Sequence, residues 1–277
     1  MVAYLAEITK GVYPRGADLE KVAADILSPV RTTEGLGLLE TLSGRPFEAG
    51  QTLLEIGAGF GLLVSEARVR FGLRAFGIEP DERCRMLARE VLHANGETPL
   101  AVVASEGEML PFPSCSFDWV YSTNALEHVR SPLQVLQEAA RVLRPGGTMQ
   151  FVVPNYGSFW EGHFGIPWVP RMPRSAARSW ARLFGRDARY VDTLQLLDAG
   201  TLRGWVQGMP SLILLDDGFS TFERRLTSGL FSAWALMGRL RPWVSLIRTL
   251  RLTGWVLRLA RWFDWHTPVI LTARRTR

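Results

Sequence analysis

The sequence predicts an α/β fold in which a parallel sheet is covered by helices on both faces. Two observations predict it. Five short apolar runs bounded by Gly, Pro or Ser recur over residues 52–153, and stretches whose apolar residues recur at three and four stand between them. Strand and helix in alternation build right-handed crossover units, which lay the strands parallel. At 277 residues and 47% hydrophobic, the chain is also long enough to bury a large core.

Taken in order, residues 1–48 read as an N-terminal helical segment. Strands follow at 52–56 (TLLEI), 74–78 (RAFGI), 101–104 (AVVA), 117–122 (FDWVYS) and 148–153 (TMQFVV), with helices at 61–71, 81–94 and 132–143. The last helix carries the clearest punctuation: Ser131 as N-cap, Pro132 at the first helical position, Gln134 completing a capping box and Gly146 beyond the end. In a sheet of this kind, ligands bind at the carboxyl ends of the strands, near the point where strand order reverses.

Composition narrows the setting. Cys84 and Cys115 stand far apart and outside any CxxC pattern, so neither a disulfide framework nor a zinc site is expected. Glu7 and Lys10 interrupt the apolar stretch that a signal peptide needs. The uncharged run 226–238 is 13 residues, too short for a bilayer span, and the expected location is cytoplasmic. Charge is divided unevenly: residues 1–155 hold 14 Lys and Arg against 19 acids, whereas residues 156–277 hold 18 Arg, no Lys and 8 acids. Nine of the ten tryptophans lie in that second part, so an acidic front and an Arg/Trp-rich back are expected to meet different partners.

The strongest chemical signal lies where the sheet rule places a ligand. Glu55-Ile56-Gly57-Ala58-Gly59-Phe60-Gly61 ends the first strand and opens the first helix, and Glu79 closes the second strand 18 residues after Gly61. Glycines here let the backbone turn and approach a ligand without Cβ clashes, and an acid at the end of the second strand is placed to accept hydrogen bonds from ribose hydroxyls. A dinucleotide fingerprint reads GxGxxG, whereas this loop reads GxGxG with a carboxylate two residues ahead. That carboxylate repels a pyrophosphate and attracts an ammonium or a sulfonium, the charge pattern of S-adenosylmethionine.

Five motifs in order then resemble the class I S-adenosylmethionine-dependent methyltransferases, specifically the type 11 group: LLEIGAGFG at 53–61, GIEP at 77–80, SEGEMLPFPSCSFDWV at 105–120, NALEHV at 124–129 and RVLRPGGTM at 141–149. The resemblance implies a Rossmann-like, doubly wound, seven-stranded mixed sheet with a cofactor-binding core over 49–155. It places Gly57, Gly59 and Gly61 along the methionine part of the cofactor, Glu55 near its amino group and Glu79 on the ribose. Glu106 falls where the family usually carries Asp against the adenine amino group, a departure of one methylene, with the Gly107 N–H beside a ring nitrogen. Asn124 lies where the chain passes the methionine end. Phe112, Phe117 and Trp119 read as core or adenine-pocket walls.

Methyl transfer is an in-line displacement at an activated sulfonium, so holding the acceptor close and aligned supplies much of the acceleration. A hydroxyl acceptor also requires a base, and histidine suits that role. His128, directly after the fourth strand, either ties its loop to a carbonyl or takes part in catalysis. Glu161 and His163, in NYGSFWEGHFGIPW, stand in an aromatic loop that reads as an active-site rim, whereas His93 and His266 read as structural. Asn124, Glu127 and His128 at i, i+3, i+4 would share one face of a helical turn, as in quinone-ring methyltransferases that hold a divalent ion. The family's first carboxylate is Asn124 here, and one carboxylate makes a poor magnesium site, so no metal is expected.

The remaining residues, 156–277, read as a substrate-side cap with the final strands at 211–218 and 267–273, a helix near 175–184, and a helical insertion over 222–266 between strands six and seven. At 100° per residue Arg241, Arg248, Arg251 and Arg258 fall within an arc of about 100°, indicating a basic amphipathic helix interrupted near Pro242 and Gly254. With the tryptophans, residues 234–265 have the makeup of a helix on a membrane surface, at the inner face of the membrane, or gripping a lipid-linked acceptor; an ordinary helix packed on its own domain with a solvated arginine face is the reading narrowly preferred. A nucleic-acid partner is not expected, because long aliphatic stretches are mixed with the aromatics and no RNA-binding module is recognisable. The expected function is methyl transfer from S-adenosylmethionine to an oxygen of a small-molecule or lipid- or glycan-linked acceptor. The alternatives are a quinone-ring methyltransferase and a non-catalytic protein of the same fold that binds a membrane or partner.

Overall fold

The computed structural model describes residue 24, residues 27–228 and residues 241–276. They divide into two compact units. A sheet unit takes in Pro29–Val153, Leu202–Asp216 and the chain from Ile270 onward; an aromatic unit takes in Pro154–Thr201 and Asp217–Val269.

The sheet unit opens with helix α1 (Pro29–Ser43), then alternates β1 (Thr52–Ile56), α2 (Leu62–Phe71), β2 (Arg74–Ile78), α3 (Glu82–Ala94), β3 (Val102–Val103), β4 (Phe117–Thr123), α4 (Pro132–Val142) and β5 (Leu143–Val153). Strands β8 (Leu212–Asp216) and β9 (Val269–Arg275) complete a seven-stranded sheet in the order β3-β2-β1-β4-β5-β9-β8. β1 runs parallel to β2 and β4, and β4 parallel to β5, whereas β8 and β9 are antiparallel. All five residues of β1 are buried, as expected of a central strand covered on both faces. Strand order reverses between β1 and β4, so the carboxyl ends of these two strands flank the ligand crevice of an open α/β sheet. Arg275, at the end of β9, donates to the carbonyls of Ala140, Arg141 and Leu143 at 2.8, 2.8 and 2.6 Å, satisfying groups at the end of α4 that the helix cannot pair itself.

The structure corrects several local expectations. β3 has two residues rather than four, and β5 begins at Leu143, ahead of the expected start at Thr148. The capping box does not form: Ser131 makes no side-chain cap bond, and Gln134 instead donates to the Glu108 carbonyl at 3.0 Å. The Glu108 carboxylate takes over the start of α4 by accepting the Arg130 and Ser131 N–H groups at 2.8 and 3.1 Å. A nearby acid from another loop wins because it satisfies the terminal donors and complements the helix dipole together.

The aromatic unit holds a two-stranded ribbon, β6 (Trp160–Glu161) and β7 (Ile166–Pro167), then α5 (Arg174–Leu183). Helix α6 (Ala199–Gln207) leads back to the sheet unit, and α7 (Phe219–Ser228), α8 (Arg241–Thr249) and α9 (Thr253–Phe263) lie between β8 and β9 in the chain. Tyr156, Phe164, Ile166, Trp168 and Val191 are buried together in this unit's core. Asn155 braces its far end, its amide donating to the carbonyls of Asp264 and His266 at 2.7 and 2.5 Å.

Beyond residue 240 the described part of the insertion is two helices, α8 and α9, which part at residues 250–252, close to the interruption expected near Gly254. Arg251 takes a left-handed φ of 57°, and its N–H and that of Leu252 return to the carbonyls of Arg248 and Ile247 at 3.0 and 2.9 Å. This is a Schellman ending with a non-glycine residue in the left-handed position, and it precedes Gly254, which falls inside the first turn of α9. The arginine arc drawn for a continuous helix therefore does not carry across Arg251. Trp234 and Arg239 of the expected basic helix, and nearly all of the N-terminal segment before Leu27, lie outside the described residues.

Candidate cofactor and acceptor sites

The loop after β1 is held open by glycine. Gly57, Gly59 and Gly61 have φ of 76°, 51° and 69°, the left-handed region that glycine adopts at no steric cost. A Cβ on Gly57 would sit 2.5 Å from the Ala125 methyl, and one on Gly61 would sit 3.0 Å from that of Ala88. At Gly59 the space is open, so only its backbone conformation calls for glycine. Gly57 and Ala58 donate to the Ile78 carbonyl at 3.0 and 2.9 Å, tying the loop to the end of β2.

Two carboxylates face this loop from different strands. Glu79 accepts the Gly59 N–H at 2.9 Å through one oxygen and the Asp81 N–H at 2.9 Å through the other. Burial pushes its pKa up, while those two backbone bonds pull it back. Glu55 lies in β1 in register with Gly77 and Tyr121. It is 4% exposed, and its Oε2 has no hydrogen-bond partner. Desolvation, followed by repulsion from Glu79, holds its pKa well above the usual carboxylate range, opposed by the Val64 N–H. A buried acceptor without a donor costs stability on its own and gains most from a cation or an N–H. The Tyr121 hydroxyl is shifted upward by burial and by Glu55, so it stays protonated.

The other expected cofactor residues lie in the same unit. Glu106 is half-exposed and meets Arg130 at 3.4 Å, a pair of little energetic weight in water. Gly107 is packed so that a Cβ would lie 3.1 Å from Ile56 and 3.2 Å from Val135. Asn124 takes a left-handed φ of 50° and donates its N–H to the Val152 carbonyl at 2.9 Å. That kink ends β4, and a 3-10 turn over Leu126–His128 follows. Asn124, Glu127 and His128 consequently do not share one face of an α-helical turn, contrary to expectation: a left-handed residue at the first position breaks the helical path. The Glu127 carboxylate is fully buried and His128 is half-exposed beside it, 4.0 Å away. Of the aromatic positions, Phe117 and Trp119 are core residues, and Phe112 packs edge-on to Phe117 at 5.0 Å.

His163 and Glu161 belong to the aromatic unit. Glu161 ends β6 and His163 stands in the four-residue connection to β7. His163 Nδ1 lies 2.8 Å from Glu161 Oε1, and Glu161 Oε2 accepts the Phe164 N–H at 2.5 Å. The buried carboxylate thus braces its own hairpin and fixes the imidazole together. Tyr156 completes the cluster, its hydroxyl 3.3 Å from Glu161 Oε1 and 3.4 Å from His163 Nδ1. Sequence reasoning passed over Tyr156, although its place in the same NYGSFWEGH stretch is the signal that could have found it. His266, as expected, is structural: it is fully buried, and its Nε2 faces the Asp217 carbonyl at 3.1 Å. His93 lies in the last turn of α3.

Comparison with known proteins fits this geometry. A methyltransferase domain model matches residues 54–151. An uncharacterized methyltransferase of Mycolicibacterium vanbaalenii is 33% identical over 199 residues, covering 70% of this chain and 73% of that protein. The chain belongs to the S-adenosylmethionine-dependent methyltransferases. An uncharacterized methyltransferase of Mycobacterium marinum is 37% identical over 172 residues, 60% of this chain and 64% of that relative, so the match spans just under two thirds of its length. Among solved structures, a putative sarcosine dimethylglycine methyltransferase from Galdieria sulphuraria shares the methyltransferase fold, with TM-score 0.52, 18% identity, and coverage of 88% of this chain and 84% of that one. A Haemonchus contortus phosphoethanolamine N-methyltransferase 2, solved with S-adenosyl-L-methionine, likewise has TM-score 0.52 at 16% identity, covering 88% and 52%. The loop after β1 suits a ligand bearing positive charge, because glycines hold it open and a buried carboxylate oxygen beside it has no donor.

Proposed function

We propose that this methyltransferase methylates an oxygen of a small-molecule or lipid- or glycan-linked acceptor, with His163 as general base. The 2.8 Å contact between His163 and the buried Glu161 carries this reading. A carboxylate at one imidazole nitrogen orients the ring and raises its basicity, as a proton acceptor for a hydroxyl requires. Methylation at a basic nitrogen would need no such base. When bound, S-adenosylmethionine supplies a methyl group on an activated sulfonium.

In the same reading, Gly57, Gly59 and Gly61 give the methionine part of the cofactor close approach, and Glu55 pairs with its ammonium. Glu79, with the Gly59 and Asp81 N–H groups already on its carboxylate, offers its remaining lone pairs to the ribose hydroxyls. Glu106 and Gly107 meet the adenine, and Asn124 shapes the wall at the methionine end. His128 serves the loop after β4. Both cysteines are free thiols, in keeping with a cytoplasmic enzyme; among the described residues no helix is long and apolar enough to cross a membrane.

Labelled S-adenosylmethionine incubated with cell extract and the protein tests the acceptor class: label is expected in a small-molecule product or in the lipid or polysaccharide fraction, and label confined to protein overturns it. His163→Ala tests the base. Turnover should fall with cofactor affinity unchanged, and full activity removes His163 from the mechanism.

A further inference from the structure

Helices α8 and α9 turn their largest apolar side chains outward. In α8 Val244 is buried, whereas Trp243 and Leu246, with Leu250 just past the helix end, are exposed and fall within an arc of about 60° at the helical repeat. In α9 Ala260 is buried, whereas Trp255, Leu259 and Trp262 are exposed and again fall within about 60°. Trp262, the most open of these, is 82% accessible. Its ring stacks on Phe263, and Phe263 on Trp265, at centroid distances of 6.2 and 4.7 Å. Exposed apolar stripes of this kind on two successive helices are uncommon on a surface that has no partner.

Charge identifies the partner. Residues 241–263 contain five arginines and no acid. Arg261 is held by Asp217 at 3.0 Å and serves the fold. Arg258 lies over the Trp255 ring at 5.7 Å and so stands with the outward aromatic residues, and Arg251 is exposed at the break between the helices. We propose that the exposed face of α8 and α9 docks on the surface of an anionic lipid bilayer. Tryptophans fit the headgroup boundary, leucines enter the acyl edge and arginines meet lipid phosphates. A second copy fits poorly, because pairing this face with itself would bring arginines together with no acid to answer them. A nucleic acid would leave the leucines without an apolar contact.

Docking concerns a surface rather than the reaction, so its test is one of binding. The full chain is floated with vesicles of equimolar phosphatidylglycerol and phosphatidylcholine, and with phosphatidylcholine alone. It should float with the anionic vesicles, less so with neutral ones, and lose binding as salt rises. Arg251→Glu with Arg258→Glu should weaken partitioning by about tenfold or more, and Trp243→Ala, Trp255→Ala and Trp262→Ala together should abolish the blue shift of tryptophan fluorescence on vesicle addition. Unchanged S-adenosylmethionine affinity in these variants establishes that they are folded. Failure to float at low salt, equal binding by the variants, or a concentration-dependent dimer that ignores vesicles would each overturn the proposal.

Discussion

The Gly59 N–H donates to the Glu79 carboxylate at 2.9 Å, so the acid that closes β2 also holds the glycine loop that follows β1. Glu79→Ala should therefore weaken S-adenosylmethionine binding by about 1.5–3 kcal/mol, the scale of a hydrogen bond to a charged group, with some of the loss arising from a loosened loop. Calorimetry at neutral pH checks it, and unchanged affinity would remove Glu79 from the site.

Glu55 opposes the fold and favours the ligand. Its pKa is raised in the folded protein, so its contribution to stability is complete below the ordinary value of 4.5 and is lost as pH rises through the raised one. Glu55→Gln should raise the melting temperature of the ligand-free protein at neutral pH and weaken cofactor binding. Since a bound cation favours the ionised carboxylate, affinity should increase with pH above 4.5 and binding should release protons. Titrations in buffers of different ionisation enthalpy read that release directly; none in the wild type, or an unstabilised variant, refutes the role.

Gly57 and Gly59 separate two reasons for glycine. Gly59→Ala meets only the backbone cost of a left-handed alanine, about 1–2 kcal/mol. Gly57→Ala adds a collision with Ala125, for a total of about 2–5 kcal/mol. Ala125→Gly in the Gly57→Ala background should restore the collision part alone. Chemical denaturation of the four proteins shows whether that coupling exists.

Glu161→Gln keeps a carbonyl acceptor for the Phe164 N–H and removes the charge beside His163. The hairpin should survive while turnover falls and the rising limb of the pH profile moves to lower pH, because an imidazole without its carboxylate is a weaker base and gives up its proton sooner. A variant with wild-type kcat and an unaltered pH profile would confine Glu161 to bracing the turn.

His266 adds an acid-sensitive element to the aromatic unit. Burial lowers its pKa below 6.5 despite the nearby Asp217. A depressed pKa means that the unfolded chain binds the proton more tightly, so stability is full above 6.5 and declines as pH falls toward the folded value. Melting followed by tryptophan fluorescence, which reports mostly on residues beyond 155, should show this decline, and His266→Asn should flatten it.

The sequence carried most of the sheet unit because its signals are local. TLLEI and RAFGI are apolar runs closed by turn residues, and the observed β1 and β2 end where those runs end. The glycine loop, Glu55 and Glu79 were legible for the same reason: a βαβ unit brings the ends of adjacent strands together by its connectivity. Ser131 was misread because its expected cap partner was sequence-local, while Glu108 reaches the helix start from a different loop.

By itself the sequence determined the order of elements, the acidic front, the Arg/Trp-rich back and the family's motifs, since periodicity, turn chemistry and composition act over a few residues at a time. Only the tertiary structure decided that Glu55 is buried without a donor on Oε2, that Tyr156 joins Glu161 and His163, and that the arginine helix breaks at Arg251 with its tryptophans outward. Burial and hydrogen-bond partnership depend on which distant segments pack together, and a one-dimensional pattern does not contain that information.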